Sequence, residues 1–200
     1  MFFLKLFGLQ LTLTLAVLQL ITVLDRGHGL KANRAAGGIL LAGCFLGAGY
    51  TASLCSLQRP MFWLGYLVLA VYLTVCSITD FQTCKVYDIL QVPTAVAGAI
   101  LCLLQEPLPG GGCGLVLYAL LQYLLFMRFY GEGDVMAFQI CSLYLVGKGG
   151  DLQTLLLHMA LAFIQLGVVQ AFKRNINQKG NLKVPVPFLP YIACSLLWFL

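Results

Sequence analysis

Charge is what this chain has least of. Lysine and arginine total 12, aspartate and glutamate 7, together 10% of 200 residues; soluble domains carry roughly 25%. With 60% apolar residues and a mean hydropathy of +0.92, the chain is not an ordinary soluble domain. Other absences narrow the function. No basic stripe interleaved with aromatics occurs, which argues against nucleic acid as a partner. No C-x-x-C pair links Cys44, Cys55, Cys76, Cys84, Cys102, Cys113, Cys141 and Cys194, so neither a zinc site nor a disulfide framework is expected. They lie singly, mostly in apolar runs, where cysteine packs as a small hydrophobe. Neither His28 nor His158 belongs to an H-E-x-x-H. Ser53, Ser56, Ser77, Ser142 and Ser195 lack a G-x-S-x-G setting. No phosphate-cradling loop, internal repeat or low-complexity segment is present.

What the chain does have is apolar length. Eight segments can be drawn, at 2–24, 37–57, 61–79, 89–104, 113–127, 134–147, 152–172 and 184–200. Full spans need about 20 residues. The expected fold is all-α, a polytopic membrane bundle of about eight transmembrane helices. The fourth and sixth segments are short: a 14-residue helix covers about 21 Å, less than the hydrocarbon core. The first segment is longer than a signal-peptide core and is followed by no A-x-A-like site, so it is expected to remain as a span. Pro107-Leu108-Pro109-Gly110-Gly111-Gly112 breaks helices. Gly43 and Gly47 form a G-x-x-x-G suited to close helix packing.

Alternating spans put the loops at 25–36, 80–88, 128–133 and 173–183 on one side. They carry Arg26, Lys31, Arg34, Lys85, Arg128, Lys173, Arg174, Lys179 and Lys183, leaving Lys5, Arg59 and Lys148 opposite. Basic residues accumulate in cytoplasmic loops. The richer side is therefore expected to be cytoplasmic, with both termini outside.

Two acids stand out against this background. Asp80 ends the third span, and Asp134 opens the sixth in Gly131-Glu132-Gly133-Asp134. Two spans separate them, so both should lie on the same face. An acid at a helix end reaches water cheaply, and Asp134 would suit a helix N-terminus. The glycines before Asp134 ask for more: they allow two backbones to approach, or a positive φ, beside a carboxylate. Two neighbouring carboxyls share one proton, so one can activate water while the other polarises a carbonyl.

The segments Ser77-Ile78-Thr79-Asp80-Phe81-Gln82-Thr83-Cys84-Lys85-Val86, Tyr130-Gly131-Glu132-Gly133-Asp134-Val135-Met136 and Val184-Pro185-Val186-Pro187-Phe188-Leu189-Pro190-Tyr191 together resemble the type IV prepilin peptidases and their archaeal preflagellin relatives. The resemblance covers residues 61 to 200. It implies a peptidase core of six helices there, with two further helices in residues 1–60. It also implies an aspartic endopeptidase of the plasma membrane, using Asp80 and Asp134 at the cytoplasmic interface and no metal or organic cofactor. The implied partners are prepilin-like precursors within the lipid bilayer, each with a basic leader, a glycine before the cut and a hydrophobic segment after it.

Three departures qualify what is carried over. The family's Ile-Pro-Asn or Ile-Pro-Asp turn is replaced by Val86-Tyr87-Asp88, which loosens the turn and brings Asp88 forward as a contributor beside Lys85. Glu132 adds a third carboxylate, either modulating the pair or facing water. The cytosolic insert with two C-x-x-C pairs, which many members use for methyl transfer, is absent from the loop between the first spans, so peptidase without methyltransferase is expected. Two rival readings remain: a transporter or binding protein whose acids bind a cation or relay a proton, and a G-x-G-D protease acting on other membrane peptides. For His158, seven residues after Asp151, an interhelical hydrogen bond is the expected role.

Overall fold

The computed structural model describes residues 2–25, 30, 33–56, 60–104, 112–128, 131–176 and 186–199. Among them the chain is helical: α1 (Phe2–Leu24), α2 (Arg34–Ser56), α3 (Pro60–Thr83), α4 (Asp88–Leu104), α5 (Gly112–Phe126), α6 (Glu132–Gly147), α7 (Leu152–Ile176) and α8 (Leu189–Leu196). Four are long and apolar enough to cross a membrane, over Phe2–Leu24, Arg34–Leu54, Phe62–Thr83 and Leu152–Phe172. Arg26, Lys31, Arg59, the breaker residues 107–111, Tyr130, Lys179, Lys183, Val184 and Pro185 lie outside the described residues.

Burial divides the helices into layers. On α6, Val135, Ala137, Phe138, Ile140, Cys141, Ser142 and Tyr144 to Gly147 are all buried, so it is the central helix. That accounts for its shortness: a helix sheathed by protein has no lipid thickness to match. α4 lies parallel to it, with Gly98 against Leu143 and Tyr144, and Gly147 against Leu101. Hydroxyl groups bolt this centre together. Tyr66 on α3 donates to the Tyr144 carbonyl at 2.9 Å, and Tyr144 donates to the Thr94 carbonyl of α4 at 3.2 Å. With backbone groups already paired within helices, such side-chain bonds set how neighbouring helices meet. His158 does this as well, its Nε2 lying 3.3 Å from the Ile192 carbonyl and its ring edge-on to Phe138.

The G-x-x-x-G of α2 is a packing seam. A Cβ at Gly43 would lie 2.5 Å from Thr74 Oγ1 of α3, and one at Gly47 would collide with Gln10 of α1 and Ala70 of α3. Gln10 Nε2 also donates to the Gly43 carbonyl at 3.1 Å. The first two helices are thereby fastened to the third.

Two of the differences from the expected helix boundaries bear on Asp80 and the last helix. α3 continues to Thr83 instead of stopping at residue 79, so Asp80 lies inside a helix, 5% exposed. The last helix starts at Leu189, not at 184. Pro187 pushes Val186 toward extended backbone, while Pro190 is tolerated in a first helical turn.

The described connecting residues sort to two ends. At one end the Tyr87 hydroxyl, before α4, donates to Asp25 Oδ2, after α1, at 2.7 Å. Val86 there meets Gly133 at the start of α6. At the other end Lys148, after α6, donates to the Phe199 carbonyl at 2.9 Å and lies over the Tyr50 ring. The structure thus places the segments at 25, 84–87 and 131–133 together, as span alternation requires.

Gly47→Val drives methyl groups into Gln10 and Ala70 and is expected to cost about 1–3 kcal/mol. Gly37→Ala, which meets open space, is expected to be neutral or to stabilise by up to about 1 kcal/mol. Unfolding of the detergent-solubilised protein measures both.

Candidate functional site

At the loop-rich end containing Asp25 and Tyr87, α3 delivers Asp80 from its last turn and α6 delivers Asp134 from its first. Asp80 is buried, and the backbone N–H of Leu189 donates to its Oδ2 at 3.0 Å. Leu189 opens α8, so Asp80 caps that helix from another part of the chain. The free amides of a helix start attract negative charge, which explains how a carboxylate is held in an apolar bundle. Asp134 is partly exposed. It lies close enough to Asp80 for the charge of one to act on the other.

The two glycines before Asp134 have different roles. A Cβ at Gly133 would come within 2.8 Å of the Val86 Cβ, so the bare backbone is what lets the α3–α4 loop press on the start of α6. Gly131 needs no such allowance: its φ of −66° and ψ of 148° suit any residue, and a Cβ there would meet nothing closer than Asp134 Oδ2 at 3.9 Å. Neither glycine is among the positive-φ residues. Of the two possibilities raised by the motif, close approach holds at Gly133, and positive φ holds at neither.

Cys84 is the residue whose importance here was not evident from the sequence, where it counted only among scattered single cysteines. It stops α3 in the left-handed conformation, at φ 51°, with its N–H bonded to the Asp80 carbonyl at 2.9 Å. Helices often end this way, but usually with glycine. Unlike buried Cys44, Cys76 and Cys141, it is exposed. Partial burial raises its thiol pKa, and the charges of Asp80 and then Asp134 raise it further. One thiol therefore senses both carboxylates. The Tyr87 phenol is pushed up to about 12 by burial and by its bond to Asp25, so it remains a donor at neutral pH.

The other residues singled out from the sequence lie outside this pair. Glu132 is exposed in the first turn of α6, Asp88 is exposed in the first turn of α4, and Lys85 is exposed between α3 and α4. Asp88 and Glu132 stand where acids complement helix dipoles. Asp151 accepts from the Thr154 N–H at 2.9 Å, capping α7 rather than facing His158. The Leu189 amide was missed as a partner because a backbone donor leaves no residue-type signature; Pro190, which marks a helix start, was the available clue.

Gly133→Ala is expected to destabilise by about 1–3 kcal/mol, with recovery in the Gly133→Ala/Val86→Ala double variant and little effect from Gly131→Ala; unfolding in detergent measures all three. A neighbouring negative charge disfavours thiolate, so removing one lowers the thiol pKa and raises the thiolate fraction. Asp134→Asn is therefore expected to speed iodoacetamide labelling of Cys84 at neutral pH, read by peptide mapping. An unchanged rate would separate Cys84 from the carboxylates.

No family model, curated protein or solved structure matches the chain.

Proposed function

We propose that the protein is a membrane-embedded aspartic endopeptidase of the prepilin-peptidase kind, with Asp80 and Asp134 as its catalytic pair. The observation that carries this reading is that two acids, from helices far apart in sequence, come close enough at one end of an apolar bundle for the charge of one to act on the other. Asp80 is additionally held by the Leu189 amide. Neighbouring carboxyls share a proton, which divides the work of peptide hydrolysis between them. The ionised member removes a proton from water as the oxygen attacks the scissile carbonyl. The protonated member donates toward the carbonyl oxygen, and a proton then passes to the departing amine. The donated amide bond favours the charged form at Asp80, casting it as the base and Asp134 as the acid. Partial exposure of Asp134 gives a substrate backbone one open side from which to approach.

Several features accompany that core in the proposal. Residues 61–200 form its six helices, residues 1–60 supply two more, and all eight helical segments belong to one multi-pass plasma-membrane protein. Tyr87, Lys85 and Cys84 then face the cytoplasm with the two acids. The substrates are prepilin-like precursors whose basic leader meets this face, where Glu132 and Asp88 stand exposed as complementary charge. The chemistry requires no metal or organic cofactor, and the chain carries no methyltransferase insert.

Co-expression with prepilin-like precursors, followed by mass spectrometry of the product, tests the reading. Cleavage just after the leader glycine is expected, together with loss of processing by at least about 100-fold in Asp80→Asn and in Asp134→Asn. Both variants should still insert. Full processing by both variants overturns the catalytic assignment and leaves Asp80 as a helix cap. Cleavage elsewhere favours a G-x-G-D protease of other membrane peptides. No cleavage, with proton or cation flux dependent on either acid, favours transport.

A further inference from the structure

A second polar feature lies away from the aspartates, near the opposite end of the bundle. Helices α4, α5, α6 and α7 enclose a cavity of about 340 Å³, bounded by Cys102, Leu115, Gln139, Ser142, Val146 and Leu155 among others. This lies near the low end of the 300–1,000 Å³ range of small-molecule pockets. Gln122 of α5 also lines it and is only 2% exposed, yet among the described residues neither Nε2 nor Oε1 has a hydrogen-bond partner. An unpaired buried amide costs about 1–3 kcal/mol.

Of the neighbouring polar groups, Ser142 donates to the Phe138 carbonyl at 2.8 Å and also bonds Tyr118, while two other contacts are long. Gln139 Nε2 reaches the Ala119 carbonyl only at 3.5 Å, and the Tyr118 hydroxyl reaches the Leu155 carbonyl only at 3.5 Å. Tyr118 and Gln122 are four residues apart on α5, and Gln139 and Ser142 three apart on α6. Each pair therefore forms one stripe on its helix. The outer side of α5 is apolar, with Val116, Leu117, Leu120, Leu121 and Leu124 exposed. The described lining contains no charged side chain.

We infer that this cavity is a binding site for a small neutral amphiphile, entered from the lipid phase, whose head group pairs a hydrogen-bond donor with an acceptor. A primary amide on an aliphatic chain is the fitting chemistry. A carboxamide offers two donors and one acceptor with two lone pairs, and Gln122 presents the same set in return. The aliphatic chain lies against Leu115, Val146 and Leu155. A carboxylate or ammonium is rejected, because nothing in the described wall compensates its charge. The site is independent of Asp80 and Asp134 and does not rest on the peptidase reading.

The test uses the full-length protein in lipid nanodiscs and an eight-carbon primary amide carrying a chain diazirine, with the matching carboxylate and alkane diazirines as comparators. After illumination, peptide mapping should find the amide on segments 115–122 and 139–146, at least tenfold above both comparators. Gln122→Leu should lower that labelling at least tenfold while leaving the melting temperature unchanged or higher, since it removes an unpaired buried amide. If Gln122→Leu does not accumulate, Gln139→Leu carries the same expectation. Asp80→Asn and Asp134→Asn should leave labelling unchanged, so this inference and the catalytic one fail separately. Absent labelling, equal labelling by the alkane, or labelling unaffected by the glutamine substitution overturns the inference.

Discussion

A carboxylate inside an apolar bundle must find a donor, and the rest of the site depends on how this chain provides one. Asp80 is 5% exposed and takes its hydrogen bond from the amide of Leu189. An unpaired charge at that depth would cost several kcal/mol, whereas a hydrogen bond to a charged group contributes about 1.5–3 kcal/mol. The same bond satisfies one of the amides left free at the start of α8. Two separate deficits offset each other, and α8 is drawn to the end of α3 as a result. The eight residues of α8 would form a weak helix alone; anchored here, they cover the central helix with buried Leu189, Ile192 and Leu196.

The second carboxylate comes near through a steric rather than an electrostatic device. Gly133 has no side chain where Val86 presses against it, so the turn after α3 and the start of α6 pack as one unit. Cys84 ends α3 sharply enough to make that turn. The bond from Tyr87 to Asp25 ties the end of α1 to the same place. At the other end, Lys148 and its contacts with Phe199 and Tyr50 close the bundle. Polar groups thus concentrate at the ends, and hydroxyl bonds from Tyr66 and Tyr144 bind the apolar middle.

Much of this was legible from composition and spacing. Long apolar runs mark helices because the backbone must pair internally wherever water is excluded, and each of the eight segments drawn overlaps one of the eight described helices, although only four of them are long and apolar enough to cross a membrane. Span alternation grouped residue 25 with the segments at 84–87 and 131–133, and the structure brings these together. Helix ends were less legible. Asp80 looked terminal because a charge usually ends a span, yet an amide partner allowed α3 to continue past it. Residues before Leu189 looked helical because they are apolar, but α8 begins only at Leu189, with Pro190 in its first turn. Gln122 was silent for another reason: a glutamine in an apolar run shows that a polar group is buried, not whether it has a partner.

The central claim is spatial, and cross-linking between positions 80 and 134 tests it most directly. In a cysteine-free background, Asp80→Cys and Asp134→Cys would be combined and treated with a short bifunctional thiosulfonate in native membranes. The account predicts an intramolecular link between the two positions, identified by mass spectrometry of the joined peptides. Modification of both cysteines singly, with no link between them, would contradict it.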